Sequence, residues 1–99
     1  MDALKIAQSL LPAELAQALA QHPETEEVRL RLGRVPGVLH AGRETPLSTE
    51  PVKQELLLRV LERATGASMH TAANSLCGGF LSYQGLRIGV CGEGIYLGW

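Results

Sequence analysis

Gly78-Gly79-Phe80-Leu81-Ser82-Tyr83-Gln84-Gly85-Leu86-Arg87-Ile88-Gly89-Val90-Cys91-Gly92-Glu93-Gly94 decides how this chain folds. Leu86, Ile88 and Val90 alternate with Arg87, Gly89 and Cys91, the period of two that a strand imposes on its side chains. Phe80 to Tyr83 mixes aromatic, apolar and polar residues in the manner of a second strand. Gln84-Gly85 between them suits a tight turn, with Gly85 able to take positive φ. The stretch therefore predicts a β-hairpin. Its Arg87, Gly89, Cys91 face sets two small residues beside one arginine, a place where a helix, a neighbouring subunit or a ligand packs close.

Downstream, Gly94 to Leu97 predicts a last strand. Ile95-Tyr96-Leu97-Gly98-Trp99 then leaves apolar residues at the terminus, as in a domain cut from a longer protein or one that docks on a partner. Upstream, Ser68 is positioned to cap a short helix running to Leu76. Leu56, Leu57, Val60, Leu61 and Ala64 form an apolar stripe at helical spacing, with Glu55 and Arg59 paired at i,i+4. Gly66 is its natural stop, and Ser48 to Pro51 reads as its start. Further back, Val28, Leu30 and Leu32 alternate with Glu27, Arg29 and Arg31, which predicts a half-buried strand. Val38–Ala41 follows as a short strand and Glu44–Leu47 as a third, which Pro46 places at an edge. Residues 2–21 read as two helices, the second opened by Pro12.

Strand runs separated by helix runs predict an α+β fold, a small mixed or antiparallel sheet with helices packed on one side. At 99 residues the chain is a single domain, residues 1–99, and large enough for a modest core. The apolar fraction of 45% and charged fraction of 19% are ordinary for a globular domain. A net charge of −1 exerts no global pull on nucleic acid or an anionic membrane. No secretory start and no run long enough to span a bilayer is evident. Cys77 and Cys91 form no CxxC pair and are expected to be free thiols in a reducing cytosol.

Little dedicated chemistry is visible. Neither Lys5 nor Lys53 follows a glycine, so there is no GxxxxGK[ST] phosphate loop. Gly89 to Gly92 matches GxxG by count but lies in a strand without a basic residue between the glycines, unlike a KH loop. His22, His40 and His70 lack metal-ligand spacing to either cysteine. Cys91 with His70 or His40 would make a nucleophile pair. No third orienting group is identifiable, and core packing is the plainer role for this cysteine. Glu93, on a glycine-flanked turn, is a general-base candidate whose plainer role is that of a polar turn residue. Arg29, Arg31, Arg34, Arg43 and Arg87 are either a solvated face with acidic partners such as Glu27 and Glu44, or an anion-facing patch. With Phe80, Tyr83, Tyr96 and Trp99 as the aromatics, a stacking platform for nucleic acid is thin.

Two segments resemble stage III sporulation protein AA. Glu26-Glu27-Val28-Arg29-Leu30-Arg31-Leu32-Gly33-Arg34 is similar to that family's EEIRLRxGRP strand. Ser68-Met69-His70, Gly79-Phe80-Leu81-Ser82 and Leu86-Arg87-Ile88-Gly89-Val90-Cys91-Gly92 follow its later region in the same order. Where the family ends a helix in acids, this chain has Ala72-Ala73-Asn74-Ser75-Leu76-Cys77, and the turn before Arg87 is shorter. The resemblance implies the N-terminal domain of a secretion-type (type II/IV-like) ATPase, non-catalytic in isolation. No cofactor is then expected on this chain, with ATP and Mg in the parent protein. The implied partners are its own ATPase domain, neighbouring subunits and a membrane protein of the sporulation channel. The implied location is cytoplasmic, peripheral to the mother-cell membrane. By analogy Arg87, then Arg29 and Arg31, would contact nucleotide phosphate in the parent. The alternative is a free-standing nucleic-acid-binding module using the arginine-lined face.

Overall fold

The computed structural model describes residues 2–66 and 79–99. Two short helices come first, α1 (Ala3–Leu10) and α2 (Ala13–Leu19). Asp2 caps α1 by accepting a hydrogen bond from the Leu4 N–H at 3.1 Å. Leu11-Pro12 breaks the helical run, and Pro12 then serves as the N-cap of α2, its carbonyl accepting from the Ala16 N–H. Gln8 Nε2 donates to the Ala16 carbonyl at 2.8 Å and ties the two helices together.

A meander follows: β1 (Glu27–Arg31), β2 (Gly37–His40) and β3 (Arg43–Pro46). Helix α3 (Gln54–Thr65) comes next and ends at Gly66, whose φ of 72° is the left-handed C-cap expected of it. A second meander closes the sequence: β4 (Phe80–Tyr83), β5 (Leu86–Cys91) and β6 (Gly94–Gly98). The short helix predicted from Ser68 to Leu76 lies outside the described residues.

The two meanders join through β1 and β6 into one six-stranded sheet of order β3-β2-β1-β6-β5-β4, antiparallel at every pairing. The first and last strands of the chain are thus its centre. β1 shows Val28 and Leu30 to one face, β5 shows Leu86 and Ile88, and β6 shows Ile95 and Leu97, all fully buried. They share one core with Ile6, Ala7 and Leu10 of α1, Leu15 and Leu19 of α2, and Leu57, Val60 and Leu61 of α3. Each of the leucine, isoleucine and valine side chains contributes roughly 1.5–3 kcal/mol by leaving water. The α+β class with helices on one side is therefore what forms, and the sheet is wholly antiparallel.

Two expectations need correction. Ser48–Pro51 does not start the helix. Val52 bridges Leu32 in parallel, its N–H donating to the Arg34 carbonyl and its carbonyl accepting from Gly33. This holds the chain extended until Lys53, and α3 begins without a side-chain cap. Ser48 Oγ instead accepts from the Glu50 N–H, a local turn. The terminal apolar run is not left bare either. Ile95 and Leu97 are core residues, and the Trp99 N–H donates to the Glu26 carbonyl. Trp99 itself is 43% exposed.

Candidate interaction surface on the open sheet face

Opposite the helices, the sheet presents a face that no described helix covers. The registers arrange it in rows. Glu27, Gly98 and Arg87 lie in one row, Arg29, Tyr96 and Gly89 in the next, Arg31, Gly94 and Cys91 in the third. All three candidate arginines therefore share this face, Arg87 two strand steps from the others, about 10 Å at the spacing of a sheet.

Arg29 and Arg31 sit in an ion-pair network. Arg29 Nε donates to Glu27 Oε2 at 2.6 Å and its Nη1 to Glu44 Oε1 at 3.1 Å. The second oxygen of Glu44 accepts from Arg31 Nη2. The hydrogen bond that Arg29 donates to Glu27, opposed by partial burial and joined by the one it donates to Glu44, raises the Arg29 pKa above its ordinary value. Glu44 stands on β3 and must cross β2 to reach β1. It does so over Gly37, where a Cβ would lie 2.5 Å from Glu44 Oε2. The missing side chain of Gly37 is the channel through which the carboxylate passes.

A second glycine is covered in a similar way. A Cβ on Gly94 would lie 3.1 Å from the Tyr96 hydroxyl and 3.3 Å from Arg31 Cγ. The tyrosine ring and the arginine stem therefore both lie over Gly94, as aromatic residues do over strand glycines. Arg31 Nε is buried beneath this cover without an acceptor. An anion seeking Arg29 or Arg31 must displace Glu44, so these two are poor first contacts.

Arg87 stands elsewhere. It lines an open cleft of ≈ 500 Å³ with Leu81, Ser82, Gly85, Gly98 and Trp99. On the same face, nothing among the described residues lies within 4 Å of where a Cβ on Gly89 would be. That Trp99 lines the same cleft as Arg87 is not legible in the sequence, because it depends on β6 pairing with β5. A second cleft of ≈ 470 Å³ lies between α2, the start of α3 and residues 48–53. Lys53 and Arg59 are mixed there with Glu14, Glu50 and Glu55, so it favours neither charge.

The cysteine readings change. Cys91 is an exposed thiol rather than a packed core residue. His40 belongs to β2, three strand steps from β5 or about 14 Å, so the two cannot act together. His70 and Cys77 lie outside the described residues. His40 instead lies 3.4 Å from Glu26, and His22 lies 3.8 Å from Glu24. Glu93 occupies the β5–β6 turn, where its backbone carbonyl accepts from the Leu32 N–H at 2.9 Å. Among the described residues no cluster of His, Cys, Asp or Glu could hold a metal ion, and no helix is long and apolar enough to cross a membrane. The chain matches no family model, no curated protein and no solved structure.

Proposed function

We propose that this chain is an assembly and coupling domain: the N-terminal domain of a sporulation secretion-type ATPase resembling stage III sporulation protein AA, non-catalytic by itself. The observation that carries this reading is the one-sided architecture. The described helices lie on one face of a six-stranded sheet, leaving an opposite face that carries Gly89, Gly94 and Gly98 and on which another domain can rest. The resemblance of Glu26–Arg34 and Gly79–Gly92 to that family supports it independently. Its partners would be its own motor domain, neighbouring subunits and a membrane protein of the sporulation channel. ATP and Mg would belong to the motor, and the assembly would sit peripherally at the cytoplasmic side of the mother-cell membrane.

Within this reading Arg87, which lines the open cleft, is the first candidate for nucleotide phosphate by analogy with related secretion ATPases, with Arg29 and Arg31 behind it. An arginine lent by one domain to another's nucleotide stabilises transferred charge. In the full-length ATPase, Arg87→Ala is expected to lower ATP turnover by at least tenfold while this domain still folds, checked by steady-state hydrolysis and circular dichroism. Unchanged turnover removes Arg87 from the role. A reading frame that does not lead into a Gly-Lys-Ser/Thr loop removes the motor. The nucleic-acid alternative predicts binding that weakens steeply with salt, and the neutralising glutamates beside Arg29 and Arg31 argue against it.

A further inference from the structure

The two outer edges of the sheet are built alike and finished differently. Each belongs to a hairpin with a two-residue turn of positive φ: Ala41 (50°) and Gly42 (79°) join β2 to β3, Gln84 (51°) and Gly85 (89°) join β4 to β5. In such hairpins the residues flanking the turn bond each other, and alternate residues point their N–H and C=O away. On β3 the outward positions are Glu44 and Pro46. Proline supplies no N–H, and Arg43 and Glu44 put charge on the strand, so this edge is guarded against pairing. On β4 the inward set is Gly79, Leu81 and Tyr83, in keeping with the bond from the Val90 N–H to the Gly79 carbonyl. The outward set is Phe80 and Ser82. The strand Phe-Leu-Ser-Tyr has no charge and no proline, and among the described residues nothing lies beyond it in the sheet.

We propose that β4 pairs with β4 of a second copy of this chain across a two-fold axis, extending the sheet to twelve strands. The occupant follows from a strand without charge or proline that can meet itself, and its register from parity. A two-fold perpendicular to the sheet keeps the helices of both copies on one side only if paired residue numbers sum to an even number. Centring the axis at Leu81 meets this condition. It sets Phe80 against Ser82 of the second copy and the reverse, so the outward residues of both strands become hydrogen-bonded pairs. Centring at Ser82 satisfies only one such pair before the turn interrupts. In the favoured register Leu81, half-buried at the rim of the core, meets its own copy and closes the core's end. An uncharged strand meets itself without repulsion, whereas β3 would bring Glu44 against Pro46 and lose a bond at each. This inference rests on the sheet alone and holds whether or not a motor domain exists.

The test uses the 99-residue chain without nucleotide. Sedimentation velocity across a concentration series is expected to show a monomer–dimer equilibrium with a dissociation constant on the order of 10–100 μM, that of a small transient interface. Ser82→Pro removes an outward N–H that the monomer does not use, and edge strands tolerate proline there. It is expected to abolish the dimer and leave the far-ultraviolet circular dichroism unchanged. Should that variant misfold, Leu81→Cys with Cys77→Ser and Cys91→Ser gives a second readout. Opposed non-hydrogen-bonded residues lie about 4.5 Å apart, within disulfide reach, so mild oxidation is expected to cross-link two copies at Leu81→Cys but not at a Glu55→Cys control. A monomer at every concentration, a dimer indifferent to Ser82→Pro, or equal cross-linking at both cysteines overturns the proposal.

Discussion

The half of the sheet made by β1, β2 and β3 and the half made by β4, β5 and β6 share one backbone plan. Each is a three-stranded antiparallel meander, and each gives one strand to the central pair. Their outer faces are finished in opposite ways. The first half is closed by the ion pairs among Glu27, Arg29, Glu44 and Arg31, and its edge carries Pro46. In the second, Arg87 and Gly98 line an open cleft, and the edge strand is uncharged. Since backbone and core are common to both, the difference lies in the alternate residues that face away from the helices. The core can therefore specify the fold while the outer face is altered independently.

The largest expected effects ignore the division, because both halves share one core. Leu30→Ala in β1 and Leu97→Ala in β6 each empty a fully buried site at the junction. Each is expected to cost about 2–5 kcal/mol in urea unfolding, as one cooperative transition. Two separate transitions would mean that the halves are independent units.

A contrast of two glycines on the same face sharpens the comparison. Gly37→Ala places a methyl where the Glu44 side chain runs. Expelling that carboxylate from both arginines is expected to cost about 1–3 kcal/mol. Gly89→Ala, on the other half, meets nothing within 4 Å among the described residues. It is expected to cost nothing and to gain up to about 0.5–1 kcal/mol from a less flexible unfolded chain. Thermal melts of the two variants side by side decide the point.

The smallest effect belongs to Glu44→Gln. Arg29, Arg31 and Glu44 retain 30%, 24% and 29% of their side-chain exposure, so solvent screens the network. A loss under about 1 kcal/mol is expected, shrinking further at high salt. The raised pKa of Arg29 contributes stability that is present below the ordinary arginine value and lost only as pH rises through the higher folded one. Stability is thus expected to be flat in pH near neutrality as far as Arg29 is concerned. A titration of the melting temperature between wild type and Glu44→Gln tests this.

What sequence revealed, and what it hid, divides along local and non-local lines. The alternation of Val28 and Leu30 with Arg29 and Arg31, the Gln84-Gly85 turn and the Gly66 stop are each set by neighbours in sequence, and each formed as read. The start of α3 was misread because Val52 answers to Leu32, twenty positions away. Ile95 and Leu97 looked stranded because nothing in their own spacing says that β6 will lie against β1. The same holds for the candidate surface. Glu27 and Glu44 were recognisable as acidic partners for the arginines. That Glu44 reaches them through the gap at Gly37, and that Trp99 lines the same cleft as Arg87, depends on strand order.

The central pairing of β1 with β6 also bears on how the molecule is made. A ribosome delivers β1 well before β6, at about 5–20 residues per second. The β4–β5 hairpin can close on its own within microseconds. The middle of the sheet must wait for Gly94–Gly98 to emerge, leaving Val28 and Leu30 beside an unfilled edge for seconds. Long-range closure of this kind slows folding and prolongs exposure of apolar strands. Loss of β6 would therefore open the middle of the sheet, and the nascent chain's most vulnerable interval is the one just before β6 arrives.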